Sequence, residues 1–144
     1  MGIDLRIEDE KGRPHHEVSD PKACVPRFLA MSDTQGTVCL QFIDPYGDTV
    51  FNRLQLEALH TEVSTALPVL SVERLREARA HTLSEAIRLK WQDPVIERLR
   101  EGIGSAASHL DEVGAVTTHM HLVLDAIAKA LAMPPHFYVR LYGD

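Results

Sequence analysis

Eight histidines are the residues of this chain best suited to chemistry, because imidazole titrates near neutral pH and ligates divalent metals through either ring nitrogen. Their spacing decides what they can do together. His119 and His121 are two apart and point in different directions on a helix, whereas His121 and Asp125 are four apart and share a face. A hydrogen-bonded surface pair is the ordinary reading of His121 with Asp125. His109, beside a line of apolar positions, and His136, before the last strand, meet other groups only through tertiary folding. From these we draw His109, His119, His121 and Asp125 as candidate ligand-binding residues, without assigning a metal. Glu77, His81 and Glu85 also share a face and could supply three ligands, but that face lies opposite Leu75, Ala78 and Thr82 and reads as salt-bridged surface. His15-His16 lies in a polar stretch and reads as solvent-exposed.

No pattern supplies a nucleophile. There is no Gly-x-Ser-x-Gly elbow, and Cys24 and Cys39 match neither a metal spacing nor a protease setting. They read as two reduced, partly buried thiols, Cys39 within an expected strand. Gly102-Ile103-Gly104 lacks the later glycine of a dinucleotide-binding turn and follows no strand. Asp44 and Asp48 could bind a cation, but Asp and Pro in such a segment are first of all turn formers. The chain reads as one without a cofactor and leans away from enzymes. General-base catalysis by a histidine ranks last.

The elements that must position these residues are well signalled. Ile3, Leu5 and Ile7 alternate with polar residues as in a half-buried strand. Asp9 to Gly36 holds only fragments of pattern: a short strand near Val18 and a helical turn opened by Asp20-Pro21 and limited by Pro26. Val38, Leu40 and Phe42 alternate into Asp44-Pro45-Tyr46-Gly47-Asp48, where Pro presets a turn dihedral and Gly accepts positive φ, and the chain returns through Thr49 to Phe51 as a hairpin. Asn52 with Gln55 forms a capping box for a helix to about Leu67, and Ser71 caps a second helix running toward Trp91. Asp93-Pro94 starts another as cap and first helical residue. From there Ile96, Leu99, Ile103, Ala106, Leu110, Val113, Thr117, Met120, Leu124, Ile127 and Leu131 recur at threes and fours, a heptad seam. The flanks Gly102, Ala107, Gly114, Val116, Val123, Ala128 and Ala130 are small and uncharged, which favours a helix inside a bundle, antiparallel to the second helix, over a dimeric rod. Gly102 and Gly104 leave open whether 94–132 is one helix or two. Phe137 to Tyr142 then alternates as a closing strand whose partners must lie near the amino end.

The fold class is therefore α+β: a small antiparallel sheet of N-terminal strands plus the C-terminal strand, packed on an inserted antiparallel helical bundle. One domain spans 1–144, with strands and loop over 1–52, helices over 53–133 and the closing strand over 137–142. A chain of this length buries roughly 68% of the surface its unfolded form exposes, so no disulfide is needed.

The segments Phe42-Ile43-Asp44-Pro45-Tyr46-Gly47-Asp48-Thr49-Val50-Phe51-Asn52 and Tyr138-Val139-Arg140-Leu141-Tyr142-Gly143-Asp144 resemble those of small, uncharacterised bacterial proteins that close with a strand ending Gly-Asp. The resemblance covers the hairpin and the tail. It implies a compact α+β domain and carries no assigned activity, so it transfers no residue roles; the long middle helix is larger than it implies.

With 21 acidic against 15 basic residues the net charge is -6, which opposes binding to nucleic acid or an anionic membrane. Seven basic residues between Arg74 and Arg100 are interleaved with Glu77, Glu85, Asp93 and Glu97, as on a solvated helix surface. No apolar run approaches a membrane span, and Met1-Gly2-Ile3-Asp4-Leu5-Arg6 lacks a basic region followed by an apolar one. The expectation is a cytoplasmic, reducing location. The leading functional expectation is a non-enzymatic protein-interaction module, an acidic partner in the manner of an antitoxin or immunity protein, with self-association through the small-residue seam as a variant. The alternative is a small-molecule or metal-binding domain that uses the helix histidines.

Overall fold

In the computed structural model, which describes residues 2–103 and 106–143 and side chains for all of these except 106 and 107, the last strand pairs with the first. β4 (Tyr138–Gly143) lies between β1 (Ile3–Glu8) and β3 (Asp48–Phe51), and β2 (Pro14–Val18) flanks β1 on its other side. All three pairings are antiparallel. Alternation sorts the two faces: Ile3, Leu5, Ile7, Val139 and Leu141 are buried in the core, while Asp4, Arg6, Arg140 and Tyr142 stay partly exposed. Glu8 is the exception, a buried carboxylate that accepts from Arg140 Nε at 2.9 Å and the Tyr142 hydroxyl at 2.8 Å.

Five helices complete the α+β fold: α1 (Cys24–Met31), α2 (Arg53–Ala66), α3 (Val72–Arg88), α4 (Asp93–Glu101) and α5 (Ala106–Leu131). Their starts follow local chemistry. Asn52 and Gln55 close a reciprocal capping box on α2, and the Ser71 hydroxyl accepts from Arg74 N–H at the start of α3. At α4 the cap is Gln92, one residue earlier than expected, with Pro94 in the first turn, where a missing N–H costs nothing. The stretch left open over 94–132 forms two helices, α4 and α5; Gly102 ends the first, while Gly104 lies outside the described residues. No helix among the described residues is long and apolar enough to cross a membrane.

Three local expectations are corrected. Val38 to Ile43 forms no strand, and Leu40–Phe42 is a 3-10 turn. The reason is Glu62 of α2, whose carboxylate accepts from the backbone N–H groups of Val38, Cys39 and Leu40 and so takes the donors a sheet ladder would need. Only the return arm, β3, is a strand, so there is no hairpin there. Gly47 does not adopt positive φ; its missing Cβ instead leaves room for Asp44, whose carboxylate oxygen would sit 2.6 Å from that atom. Pro26 does not limit α1, because it occupies the first turn, where it has no helical hydrogen bond to lose. The strand near Val18 is β2, and it carries His15 and His16; His15 bonds Asp9 at 3.0 Å.

Helix α5 is the central strut, packed on α1, α2, α3 and the sheet. Its apolar stripe keeps Met120 and Ile127 of the expected seam, but the alternate seam positions Leu110, Thr117, Leu124 and Leu131 give way to the residues one position earlier. His109, Val116, Val123 and Ala130 are buried together with Met120 and Ile127, while Leu110 is 65% exposed and Thr117, Leu124 and Leu131 are half-buried. Small side chains at the centre of the stripe let neighbouring elements approach closely, which outweighs the greater hydrophobicity of the leucines beside them. The side chains of Ala106 and Ala107 lie outside the described set. The stripe is spent inside the single chain.

Candidate functional site

Asp20 is fully buried at the corner where β1 meets α1, and its carboxylate organises both. The backbone N–H of Ile3 donates to Oδ2 at 3.1 Å, that of Val25 to Oδ2 at 2.9 Å, and that of Cys24 to Oδ1 at 2.7 Å. Asp20 thus does from a distance what a capping side chain does, satisfying the free donors of the first turn of α1. The residue in the capping position, Ala23, offers no side-chain bond and sits in the left-handed region at φ 53, which swings the chain so that Cys24 returns to face Asp20. Gly2 completes the corner: a Cβ there would lie 1.8 Å from the Asp20 carbonyl oxygen.

Across this corner runs α5. It brings His119 to Asp20, Nε2 to Oδ1 at 3.5 Å, and one ligand-type atom each from Asp20, Cys24 and His119 lie within 4.8 Å of one another. The His119 side chain is 11% exposed, and its Nε2 has no hydrogen-bond partner among the described residues. Arg6 Nε shares that condition, but a guanidinium is always charged and is answered by Glu17 at 3.4 Å and by the Tyr142 ring at 4.5 Å. An imidazole has no fixed charge, so the 3.5 Å separation is an ion pair only when His119 is protonated.

The three residues open on a cleft of about 310 Å³ between α1 and α5, continued by Lys22, Gly114, Thr118 and Leu122. Gly114 is informative. It lies inside a 26-residue helix, where glycine costs roughly 1 kcal/mol relative to alanine, and a Cβ added there would meet nothing within 4 Å. Packing does not require the glycine; it widens the cleft. Cys24 opens α1, a position that usually favours thiolate, yet burial and then the Asp20 charge push its thiol above the ordinary cysteine value. An unliganded Cys24 is therefore a poor nucleophile.

The expected site residues separate. His119 is in the cleft. His109, ten residues and about 15 Å along the same helix, is fully buried and satisfied at both ring nitrogens: Arg76 Nε donates to Nδ1 at 3.4 Å, and Nε2 lies 2.9 Å from the Gly102 carbonyl. That carbonyl also accepts from Arg79 Nη1 at 2.8 Å, so His109 fastens the α3, α4 and α5 junction. Beside it Glu112 pairs with Arg27 of α1 at 2.9 Å and with Arg79 of α3. His121 and Asp125 are exposed, and no hydrogen bond or ion pair joins them among the described residues. Asp20 and Cys24 were not anticipated as site residues. The helical turn expected to open at Asp20-Pro21 begins only at Cys24, with Ala23 in the capping position, and nothing local joins Asp20 to His119. No protein-family model, curated protein or solved structure matches the chain.

Proposed function

We propose that this chain is a small non-enzymatic binding domain whose ligand sits in the cleft between α1 and α5 on Asp20, Cys24 and His119. The observation that carries the reading is the buried, unpartnered Nε2 of His119 beside a carboxylate and a thiol. An unsatisfied buried polar atom costs about 1–3 kcal/mol, and a ligand that bonds it recovers that loss. Gly114 supports the same reading, since it gives up helix stability at a point where its only effect is space. The protonated Cys24 thiol favours binding over covalent catalysis.

The test uses the cleft's own geometry. Gly114→Leu projects a side chain into open space and should fold normally, with stability equal or higher. Amide NMR spectra of the wild-type chain titrated with a library of small polar fragments and with divalent ions should show shifts at Cys24, Ala115, Thr118 and His119, weakened in Gly114→Leu. Spectra that never move at these amides would remove the reading.

A second reading, a surface for a protein partner, is favoured by a separate observation. Phe42, Tyr46, Val50 and Leu54 are 66%, 75%, 44% and 79% exposed along one segment that includes the edge strand β3, with Asp44 and Asp48 among them. Apolar anchors beside acidic groups suit a partner presenting apolar and basic side chains, one that could add to the strand edge. A partner retained by the wild-type chain and lost by Leu54→Arg at unchanged circular dichroism, with affinity falling as salt rises, supports it. Equal retention by both chains removes it.

A further inference from the structure

Resting on the cleft-binding reading above, we infer that the ligand is a divalent transition-metal ion of the zinc class, bound by Asp20 Oδ1, the Cys24 thiolate and His119 Nε2. The donor set carries the choice of ion. One sulfur, one imidazole nitrogen and one carboxylate oxygen suit a borderline cation such as Zn²⁺, whereas Mg²⁺ and Ca²⁺ require mainly oxygen ligands, of which the trio supplies a single carboxylate. Three protein ligands leave a fourth tetrahedral position, and the cleft of about 310 Å³ beside them has room for water or a small donor there.

The geometry is close to what binding needs. Zinc bond lengths of about 2.0–2.3 Å place tetrahedral ligands about 3.3–3.6 Å apart, so the 4.8 Å limit on the present trio closes by a contraction of at most about 1.5 Å. The two ligands on the α1 side are already oriented. Asp20 is fixed by three backbone N–H groups, the kind of outer support that metal-binding carboxylates ordinarily have, and Cys24 begins the helix that two of those bonds secure. His119 comes from a separate element, α5, so the ion would tie α1 and β1 to the central helix. Charge points the same way: a carboxylate and a thiolate, both on buried residues, sum to two negative charges, which one divalent cation neutralises once the cysteine proton has passed to solvent. Lys22 at the rim is exposed, and solvent screens its charge.

Cobalt reports this site directly, because a thiolate bound to Co²⁺ gives an intense near-ultraviolet charge-transfer band. The full chain titrated with Co²⁺ should develop that band to one ion per chain and lose it on addition of Zn²⁺. Cys24→Ser should abolish the band, and His119→Gln should weaken Co²⁺ binding by more than about 100-fold, beyond the 10–100-fold that removing an outer partner costs. Cys39→Ser, which alters the other buried thiol, should leave it unchanged. A band that survives in Cys24→Ser, or that disappears with Cys39, overturns the assignment. Absence of any band while small fragments still shift the cleft amides overturns the metal and leaves the binding reading standing. Absence of both overturns the two together.

Discussion

Two histidines on one helix have opposite lives in this protein. His109 is buried with both ring nitrogens engaged, by Arg76 and by the Gly102 carbonyl, whereas His119 is nearly as buried and its Nε2 has no hydrogen-bond partner among the described residues. Burial alone therefore does not distinguish a structural histidine from an available one. The junction of α3, α4 and α5 is a closed network, with Gly102 and Glu112 each holding two partners. The corner of β1, α1 and α5 is closed on Asp20 and open on His119. A fully satisfied polar network specifies structure; a partly satisfied one leaves a bond to be made.

The comparison breaks most visibly at Asp20. Asp20→Ala strands three buried backbone donors and removes the effective cap of α1, an expected loss of about 4 kcal/mol in urea unfolding. A loss below about 1 kcal/mol would mean that Asp20 does not anchor the corner. Next comes His109→Ala, which leaves a cavity and takes a partner from both Arg76 and Gly102; about 2–3 kcal/mol is expected, with Co²⁺ binding intact. Loss of Co²⁺ binding in that variant would show that the two regions are not separate.

A smaller effect sharpens the contrast by placing the acid response elsewhere, on the sheet. Burial works to raise Glu8, but its hydrogen bonds to Arg140 and Tyr142 outweigh burial and leave it below the ordinary glutamate value. Asp9, held by His15 and by the N–H groups of Arg13 and Lys11, is lowered to about 2. Groups depressed in the folded state bind fewer protons than in the unfolded chain, so their contribution is complete above the ordinary carboxylate range and is lost as pH falls through it toward about 2. Glu8→Gln should flatten the acid limb of stability against pH, and an unchanged slope would remove Glu8 from that role. The smallest effect belongs to His119→Leu. Without added metal it should not lower stability and should raise it by about 1 kcal/mol, because it deletes a buried atom that has no partner among the described residues. A loss like that of His109→Ala would make His119 structural.

Much of the fold was legible because it rests on short-range rules. The capping residues Asn52, Gln55 and Ser71 announce α2 and α3, since each acts within three residues of itself. The alternation of Ile3, Leu5 and Ile7 and of Val139 and Leu141 marks two strands with one wet face, and a terminal strand of that kind has to pair with earlier ones. Val38 to Ile43 misled because its alternation is genuine while its backbone donors are claimed by Glu62, more than twenty residues away. Of the site, His119 was legible as a candidate and its partners were not.

What the sequence determined by itself was most of the elements, the caps of α2 and α3 and the chemistry available on each. What only the tertiary structure decided was the rotation of α5. Val116, Val123 and Ala130 each lie one residue, about 100° of helix, from the seam positions Thr117, Leu124 and Leu131, while Met120 and Ile127 serve both stripes; packing set that phase through the close fit of the smaller residues rather than through the more hydrophobic leucines beside them. That phase sends His109 into a closed network and turns His119 toward Asp20 and Cys24, which lie 99 and 95 residues earlier in the chain. Local rules act over a few residues, and no local rule links positions so far apart; the juxtaposition is a product of packing.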